Sequence, residues 1–188
     1  AARQLRSISY EEMLELAACG AKVLMMRSVE YARNHGVSIH VRSSFTDDEG
    51  TWVVKEDDML ERAIISGIAS DTSEAEITIS GVPDQPGIAA RVFRPLADAG
   101  INIDMIVQNV SATATGLTDI SFTLPRDDTQ KAISALESAK ATIGFERLQT
   151  DSTVGKVSII GAGMRSAPGI SAKFFAALAD AGVNIEMI

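Results

Sequence analysis

The residues best suited to chemistry lie where a predicted strand gives way to a predicted helix, in the segment Asp84-Gln85-Pro86-Gly87-Ile88-Ala89. Backbone N–H groups at the start of a helix stabilise an anion, and Gly87 lets a ligand approach the backbone closely. Asp84 places a carboxylate beside them, and a carboxylate accepts an ammonium group. A group that binds carboxylate next to one that binds ammonium indicates a site for a free α-amino acid.

Polar side chains on the following strand extend this candidate site. Asn102, Asp104 and Gln108 would supply two side-chain amides and a second carboxylate. The alternative is that Pro86-Gly87 is only a turn and that Asn102 caps the C-terminus of a helix. The residues of this one segment leave both interpretations open.

The same motif occurs again further along the chain, as Pro168-Gly169-Ile170 and Asn184-Ile185-Glu186. Ser166-Ala167 stands where the first copy has Asp84-Gln85, so the carboxylate is missing from the second copy. If both sites form, they should therefore differ in ligand or in strength.

A dinucleotide site is a rival interpretation of one glycine-rich run. Ile159-Ile160-Gly161-Ala162-Gly163 follows a predicted strand, and Glu186 lies about 20 residues further on, where a ribose-binding acid belongs. However, Ser166 replaces the third glycine, and the helix starts near Pro168, too late for the tight turn. We therefore disfavour this interpretation.

Composition excludes several other classes of function. The single cysteine, Cys19, rules out an intramolecular disulfide, and two histidines, His35 and His40, make a histidine-built metal site improbable. Seventeen basic against twenty-five acidic residues give a net charge of −8, which disfavours nucleic acid as a partner. No apolar run approaches the roughly 18 to 20 residues that span a membrane, and no signal peptide is evident. We predict a cytoplasmic protein with no metal site and no catalytic residue in this sequence.

Internal repetition reveals the elements that must position these residues. Residues 86–106 and 168–188 align at an offset of 82 with 14 of 21 positions identical. In the first copy, the pattern predicts strands over 75–81, 101–110, 117–124 and 145–150, and helices over 86–100 and 127–140. This β-α-β-β-α-β order is the ferredoxin-like unit. The second copy ends after its first helix and the start of a strand, which predicts that the sequence is a piece of a longer protein.

The first 58 residues resemble neither copy. Ser9-Tyr10-Glu11-Glu12 predicts a capping box, Gly20 is expected to divide the following helical pattern, and Val37–Arg42 predicts a strand. Met25 and Met26 are expected in the core. A helix and a strand without a partner sheet suggest the last αβ unit of an incomplete domain. The predicted fold class is α+β, with a remnant and linker over 1–58, a first module over 59–151 and an incomplete second module over 152–188.

Four segments carry a resemblance to a known family. Residues 12–24 (EMLELAACGAKVL) and 39–45 (IHVRSSF) resemble the C-terminal part of the catalytic domain of aspartate kinases, which is an amino-acid-kinase α/β domain. Residues 101–110 and 154–158 resemble the paired ACT regulatory modules of the same family. The resemblance covers the chain nearly end to end and is strongest to the bacterial type that responds jointly to lysine and threonine.

The resemblance implies an allosteric function. Full-length members phosphorylate aspartate with MgATP, and their ACT modules pair between subunits, in homo- or hetero-oligomers with catalytic subunits, to bind the inhibitors lysine and threonine. The implied effector-binding residues of this chain are Asp84, Pro86, Gly87, Ile88, Ala89, Asn102, Ile103, Asp104, Gln108, Ile170, Ser171, Asn184 and Ile185. The family's N-terminal Lys-Phe-Gly-Gly phosphate-binding stretch is absent, which predicts that this chain alone is inactive and needs no cofactor.

Two alternatives of other classes stay open at this point. The chain could be a stand-alone ACT module that senses amino acids, or the ACT regulatory region of a different amino-acid biosynthetic enzyme. Residues 1–45 argue against the first alternative, because a sensor does not require part of a kinase domain. The helical region over 9–35 discriminates the second, since only a kinase-like remnant should supply it in that order.

Overall fold

The computed structural model describes residues 4–56, 65–109, 115–161 and 167–188. Its contacts divide the chain into two compact units. The first, which we term the split unit, contains Ala1–Asp71 together with Val157–Glu186; the second, the continuous unit, is Thr72–Lys156. The predicted boundaries at 58 and 151 stay predictions, because compactness alone does not define a duplicated module.

The split unit begins with the helices that the sequence predicts. Its first elements are β1 (Ser7–Ser9), α1 (Tyr10–Ala18), α2 (Met26–His35), β2 (Ile39–Val41) and β3 (Thr51–Val54). The capping box is confirmed, since Glu12 N donates to Ser9 Oγ at 3.2 Å and Ser9 N donates to Glu12 Oε2 at 3.5 Å. Gly20, with a φ of 102°, follows the end of α1 and separates the two helices as expected.

A three-stranded sheet corrects the expectation that this region lacks partner strands. The order is β1-β3-β2, with β1 parallel and β2 antiparallel to β3. Its core contains Ile8, Tyr10, Met13, Val29, Ala32 and Val53. Met25 and Met26 are 73% and 49% exposed, so their prediction as core residues is wrong. The His40 ring stacks on Trp52 with centroids 3.8 Å apart.

In its described residues, the rest of the split unit contains two strands and a helix. These are β4 (Gly67–Asp71), β9 (Lys156–Ile160) and α6 (Ile170–Asp180). The sequence also predicts a strand over 63–69 that leads into the first repeat; residues 63 and 64 lie outside the described residues, and the described strand, β4, pairs with β9. Ser66 N donates to Ile160 O at 2.7 Å beside this pair. Thus β9, the strand that begins the second copy, pairs with β4, which precedes the first copy in sequence.

The continuous unit is the predicted ferredoxin-like fold. Its elements are β5 (Glu74–Pro83), α3 (Ile88–Asp98), β6 (Ile106–Gln108), β7 (Leu117–Pro125), a 3₁₀ turn (Arg126–Asp128), α4 (Thr129–Ser138), α5 (Lys140–Ile143) and β8 (Arg147–Asp151). The antiparallel sheet has the order β6-β7-β5-β8. Residues 101–105 precede β6 instead of forming its first half, and Pro86 lies in the turn before α3. Residues 110–114 of the predicted β6–β7 loop lie outside the described residues.

One apolar core holds this sheet and its helices together. Alternate residues of β5 and β7 point inward, as period-two patterning requires, and α3 and α4 contribute residues at helical spacing. The fully buried members include Ile77, Ile79, Val92, Leu96, Phe122, Leu124, Ala132 and Leu136. Phe93 packs edge-on against Phe122 with ring centroids 5.4 Å apart. The helical pattern of α3 predicts that Ala97 also faces inward, but Ala97 is exposed.

Among the described residues, none of the helices is both long enough and apolar enough to cross a bilayer.

Candidate functional site

The turn between β5 and α3 forms the first part of the candidate site. Asp84 N donates to Gly116 O at 2.8 Å, and Ile88 N donates to Gln85 O at 3.2 Å. Gly87 caps α3 with a φ of 86°, and a Cβ built there would meet no atom within 4 Å. Backbone conformation, not crowding, therefore requires glycine here. Asp84, Pro86, Gly87 and Ala89 are exposed, whereas Ile88 is buried and anchors the turn.

The second copy builds the same turn. Gly169 caps α6 with a φ of 89°, within a few degrees of Gly87. Lys173 N donates to Gly169 O at 3.1 Å, and the equivalent bond from Arg91 N to Gly87 O is 3.2 Å. Ile170 is half-buried and Ser171 is exposed. The duplicated sequence thus gives the same local geometry at the start of both helices.

The second group of predicted residues follows each helix. Asn102, Ile103 and Asp104 form an extended segment in which Asp104 N donates to Thr123 O at 3.0 Å. Asn102 and Asp104 are exposed, and Ile103 packs against the core. In the second copy, Asn184 and Ile185 are also exposed.

The sheet separates these two groups. Asp104 bonds to Thr123, which pairs with Glu76 near the start of β5, whereas Asp84 follows Pro83 at the end of that strand. Glu76 and Asp84 are eight residues apart, one of which the β-bulge in β5 absorbs, so about seven steps of roughly 3.3 Å separate the two backbone positions by about 23 Å. The structure therefore does not bring Asp84 together with Asn102 and Asp104 within one module.

Gln108 lies nearer the turn that contains Asp84. It pairs with Ile120, which in turn pairs with Ile79, and Asn109 N donates to Asp119 O at 3.0 Å beside it. This exposed amide is therefore at the end of β6 that approaches the β5–α3 turn. In α6, about 14 Å of helix separates Ser171 from the helix end that precedes Asn184.

One charged residue at the site was not predicted. Lys156 Nζ forms an ion pair with Asp104 Oδ2, and it lies 3.9 Å from Glu74 Oε1. The Lys156 and Glu74 side chains are only 16% and 11% exposed. Lys156 lies 52 residues from Asp104 in sequence, so no local pattern could have joined them.

Neither a metal site nor a dinucleotide site gains support from the described geometry. Across residues 4–56, 65–109, 115–161 and 167–188, no group of three or more His, Cys, Asp or Glu side chains could hold a metal ion. Residues 162–166 of the glycine-rich run lie outside the described residues. Helix α6 begins only at Ile170.

Comparison with known proteins identifies the repeated unit. Residues 77–139 and 157–188 match the ACT domain family. The chain is also similar to the crystal structure of the regulatory subunit of aspartate kinase from Thermus thermophilus, at 44% identity and a TM-score of 0.62. That match covers 67% of this chain and 82% of the other. The chain belongs to the aspartokinase family. Its modules have the ACT fold, as the sequence predicts.

Two further relatives agree. The aspartokinase of Mycolicibacterium smegmatis is 55% identical over 190 residues, a match that covers 100% of this chain and 45% of that protein. The chain therefore spans less than half the length of this relative. A crystal structure of aspartokinase alpha and beta subunits is 45% identical with a TM-score of 0.60, covering 66% of this chain and 80% of the other. These matches confirm the resemblance seen in residues 12–24 and 101–110.

Proposed function

We propose that this chain is the feedback-regulatory part of an aspartate kinase and that it binds the end products lysine, threonine or both. The main support is the pair of glycine-capped helix starts in a chain of the aspartokinase family, with a carboxylate, Asp84, beside the first of them. The N–H groups at such a start suit the effector's carboxylate, and Asp84 suits its ammonium group.

The separation of the two residue groups supports binding between modules. A ligand of amino-acid size cannot reach from the Asp84 turn to Asp104, about 23 Å away along the strand. An ACT module of another subunit can supply the missing end, with its own copy of the segment from Asn102 to Asp104 or of Asn184 and Ile185. We therefore propose that the effector site is completed by ACT pairing in a homo- or hetero-oligomer, and the similarity to aspartokinase alpha and beta subunits supports this.

The proposed mechanism is thermodynamic linkage. An effector that bridges two modules binds one arrangement of the pair more tightly, so it shifts the whole enzyme toward that arrangement. Phosphoryl transfer from MgATP to aspartate is proposed for the whole cytoplasmic kinase, and we assign no catalytic residue to this chain.

Calorimetric titration tests the proposal directly. L-lysine and L-threonine are titrated singly and together into this chain and into the full-length protein, with L-alanine as the reference ligand. We expect saturable heat that is lost in Asp84→Ala. Asp98→Ala is the matched control, because Asp98 is an exposed carboxylate at the other end of α3. No heat from either amino acid with a folded full-length protein would refute the proposal.

A paired substitution in the first turn of α3 tests where the effector lies. Ala89→Val places extra methyl groups at the helix start, and we expect inhibition of the full-length kinase by its effectors to weaken at least severalfold. Ala90→Val is the control, since Ala90 is also exposed and carries the same loss of helix propensity one position further around the helix. Equal inhibition curves for the two variants would contradict this placement.

A further inference from the structure

The cluster Glu74–Lys156–Asp104 joins a predicted effector residue to a lysine that no sequence motif identified. Glu74 is the first residue of β5, and Asp104 lies just before β6. Lys156 Nζ is paired with Asp104 Oδ2 and lies 3.9 Å from Glu74 Oε1. Two carboxylates thus share one ammonium group, and the three charges sum to −1.

The two carboxylates depend on Lys156 to different degrees. The Glu74 side chain is 11% exposed, and a buried carboxylate is costly without a nearby cation. The Asp104 side chain is 49% exposed, so water can hydrate its carboxylate and a dissolved cation can pair with it. Lys156 is therefore held in place by Glu74, while its pairing with Asp104 can be exchanged.

We infer that Lys156 is an internal competitor for an ammonium group at Asp104, such as the side-chain ammonium that lysine carries besides the α-ammonium assigned to Asp84. This inference rests on the proposed function, in which Asp104 belongs to an effector site. Without effector, the Lys156 ammonium occupies Asp104. When an effector ammonium binds Asp104, like charges repel, and Lys156 withdraws toward Glu74. Lys156 thus acts as a positioning residue, since it sets the effector's affinity through Asp104.

The competitor role predicts opposite effects from two neutralising changes. In Glu74→Gln, Lys156 loses the Glu74 carboxylate that draws it away from Asp104, and it competes more strongly. In Glu74→Gln with Lys156→Met, both charges leave together, so Asp104 keeps its carboxylate and loses its competitor. Lys156→Met alone is a poorer test, because it leaves the Glu74 carboxylate buried without this ammonium.

Calorimetry of the full-length protein measures both effects. We expect effector affinity to fall about threefold to tenfold in Glu74→Gln and to rise by a similar factor in the double variant. Lys131→Met is the control: it removes an exposed lysine of α4 and should leave the effector affinity unchanged. Circular dichroism checks that each variant is folded. Three ligands identify the ammonium group involved: threonine carries only an α-ammonium, Nα-acetyl-lysine only an ε-ammonium, and lysine both.

The outcomes separate this inference from the proposed function. If wild-type protein binds an effector but Glu74→Gln and the double variant bind equally, or in the reverse order, the competitor role is wrong and the function stands. If Asp104→Asn binds as tightly as wild type, Asp104 is not the acceptor, which also overturns the inference alone. If wild-type protein binds neither amino acid, the proposed function fails first.

Discussion

The two copies of the duplicated segment fold alike locally but differ in burial. Helices α3 and α6 each have eleven residues and begin after a left-handed glycine. Yet α3 buries Ile88, Val92 and Leu96, whereas α6 has no buried residue. Phe174 and Phe175, on α6, are only half-buried.

The number of elements available to pack against each helix explains the difference in burial. Helix α3 lies in a unit with a four-stranded sheet and a second helix, α4, and shares one core with both. In the described part of the split unit, β9 has a single partner strand, β4, and Ile160 is its one buried residue. Two segments that share six of eleven helix residues thus form the same helix and cap, but burial depends on how much sheet packs against them.

The largest expected effect comes from equivalent leucines. Leu96→Ala removes a fully buried side chain, and we expect it to cost about 2 to 5 kcal/mol in the free energy of unfolding. Leu178→Ala, at the matching position in α6, should cost less than about 1 kcal/mol because Leu178 is already partly exposed. Hydrogen exchange, measured separately for the amides of α3 and α6, gives both values. Similar losses in the two helices would contradict the difference in burial.

Substitutions at the two matched glycines, unlike those at the leucines, should destabilise both copies equally. Gly87→Ala and Gly169→Ala each force an L-residue into a left-handed conformation, with open space for the new Cβ. Only backbone strain is added, so we expect each change to cost about 1 kcal/mol. The same hydrogen-exchange measurement checks this. A cost that differs strongly between the copies would show that the caps are not locally determined.

The smallest effect concerns the turn that ends the first copy. The side-chain hydroxyl and the backbone N–H of Thr153 donate to Asp151 and lower the pKa of its carboxyl below 3.8. Since the folded pKa is depressed, the stability it contributes is present above the unfolded pKa and is lost as pH falls through the folded value. Thr153→Ala should raise the pKa of Asp151 toward 3.8, as measured by carboxyl NMR titration.

Thr129→Ala is the control for this titration. The Thr129 hydroxyl donates to Arg126 O rather than to a carboxylate, so its loss should leave the pKa of Asp151 unchanged. An unaltered Asp151 pKa in Thr153→Ala would mean that the backbone N–H alone stabilises the carboxylate.

The fold was predictable wherever local rules and repetition agreed. The capping box at Ser9, the break at Gly20 and the order of elements in the first module follow from spacing and caps. Strands β1 and β3 were missed because each has only three or four residues and is stabilised mainly by pairing with its neighbours. The pairing of β4 with β9 could not be predicted either, because about 85 residues separate the two strands in sequence.

The candidate site was predictable only in part. The turn from Asp84 to Ala89 and the conformation of Gly87 follow from a glycine between a strand and a helix. The distance between Asp84 and Asp104 could not be inferred from their types, because it depends on the length and direction of β5. The pairing of Asp104 with Lys156 required the three-dimensional fold, since it links residues far apart in sequence.

Trp52, whose ring stacks on His40, makes the fluorescence of the molecule report on one unit only. Trp52 is the single tryptophan, and both tyrosines, Tyr10 and Tyr31, also lie within Ala1–Asp71. Fluorescence above 300 nm therefore originates in the split unit alone. The continuous unit has only phenylalanines, so it can unfold without changing that emission directly. A tryptophan introduced there would let the two units be followed as separate signals in one sample.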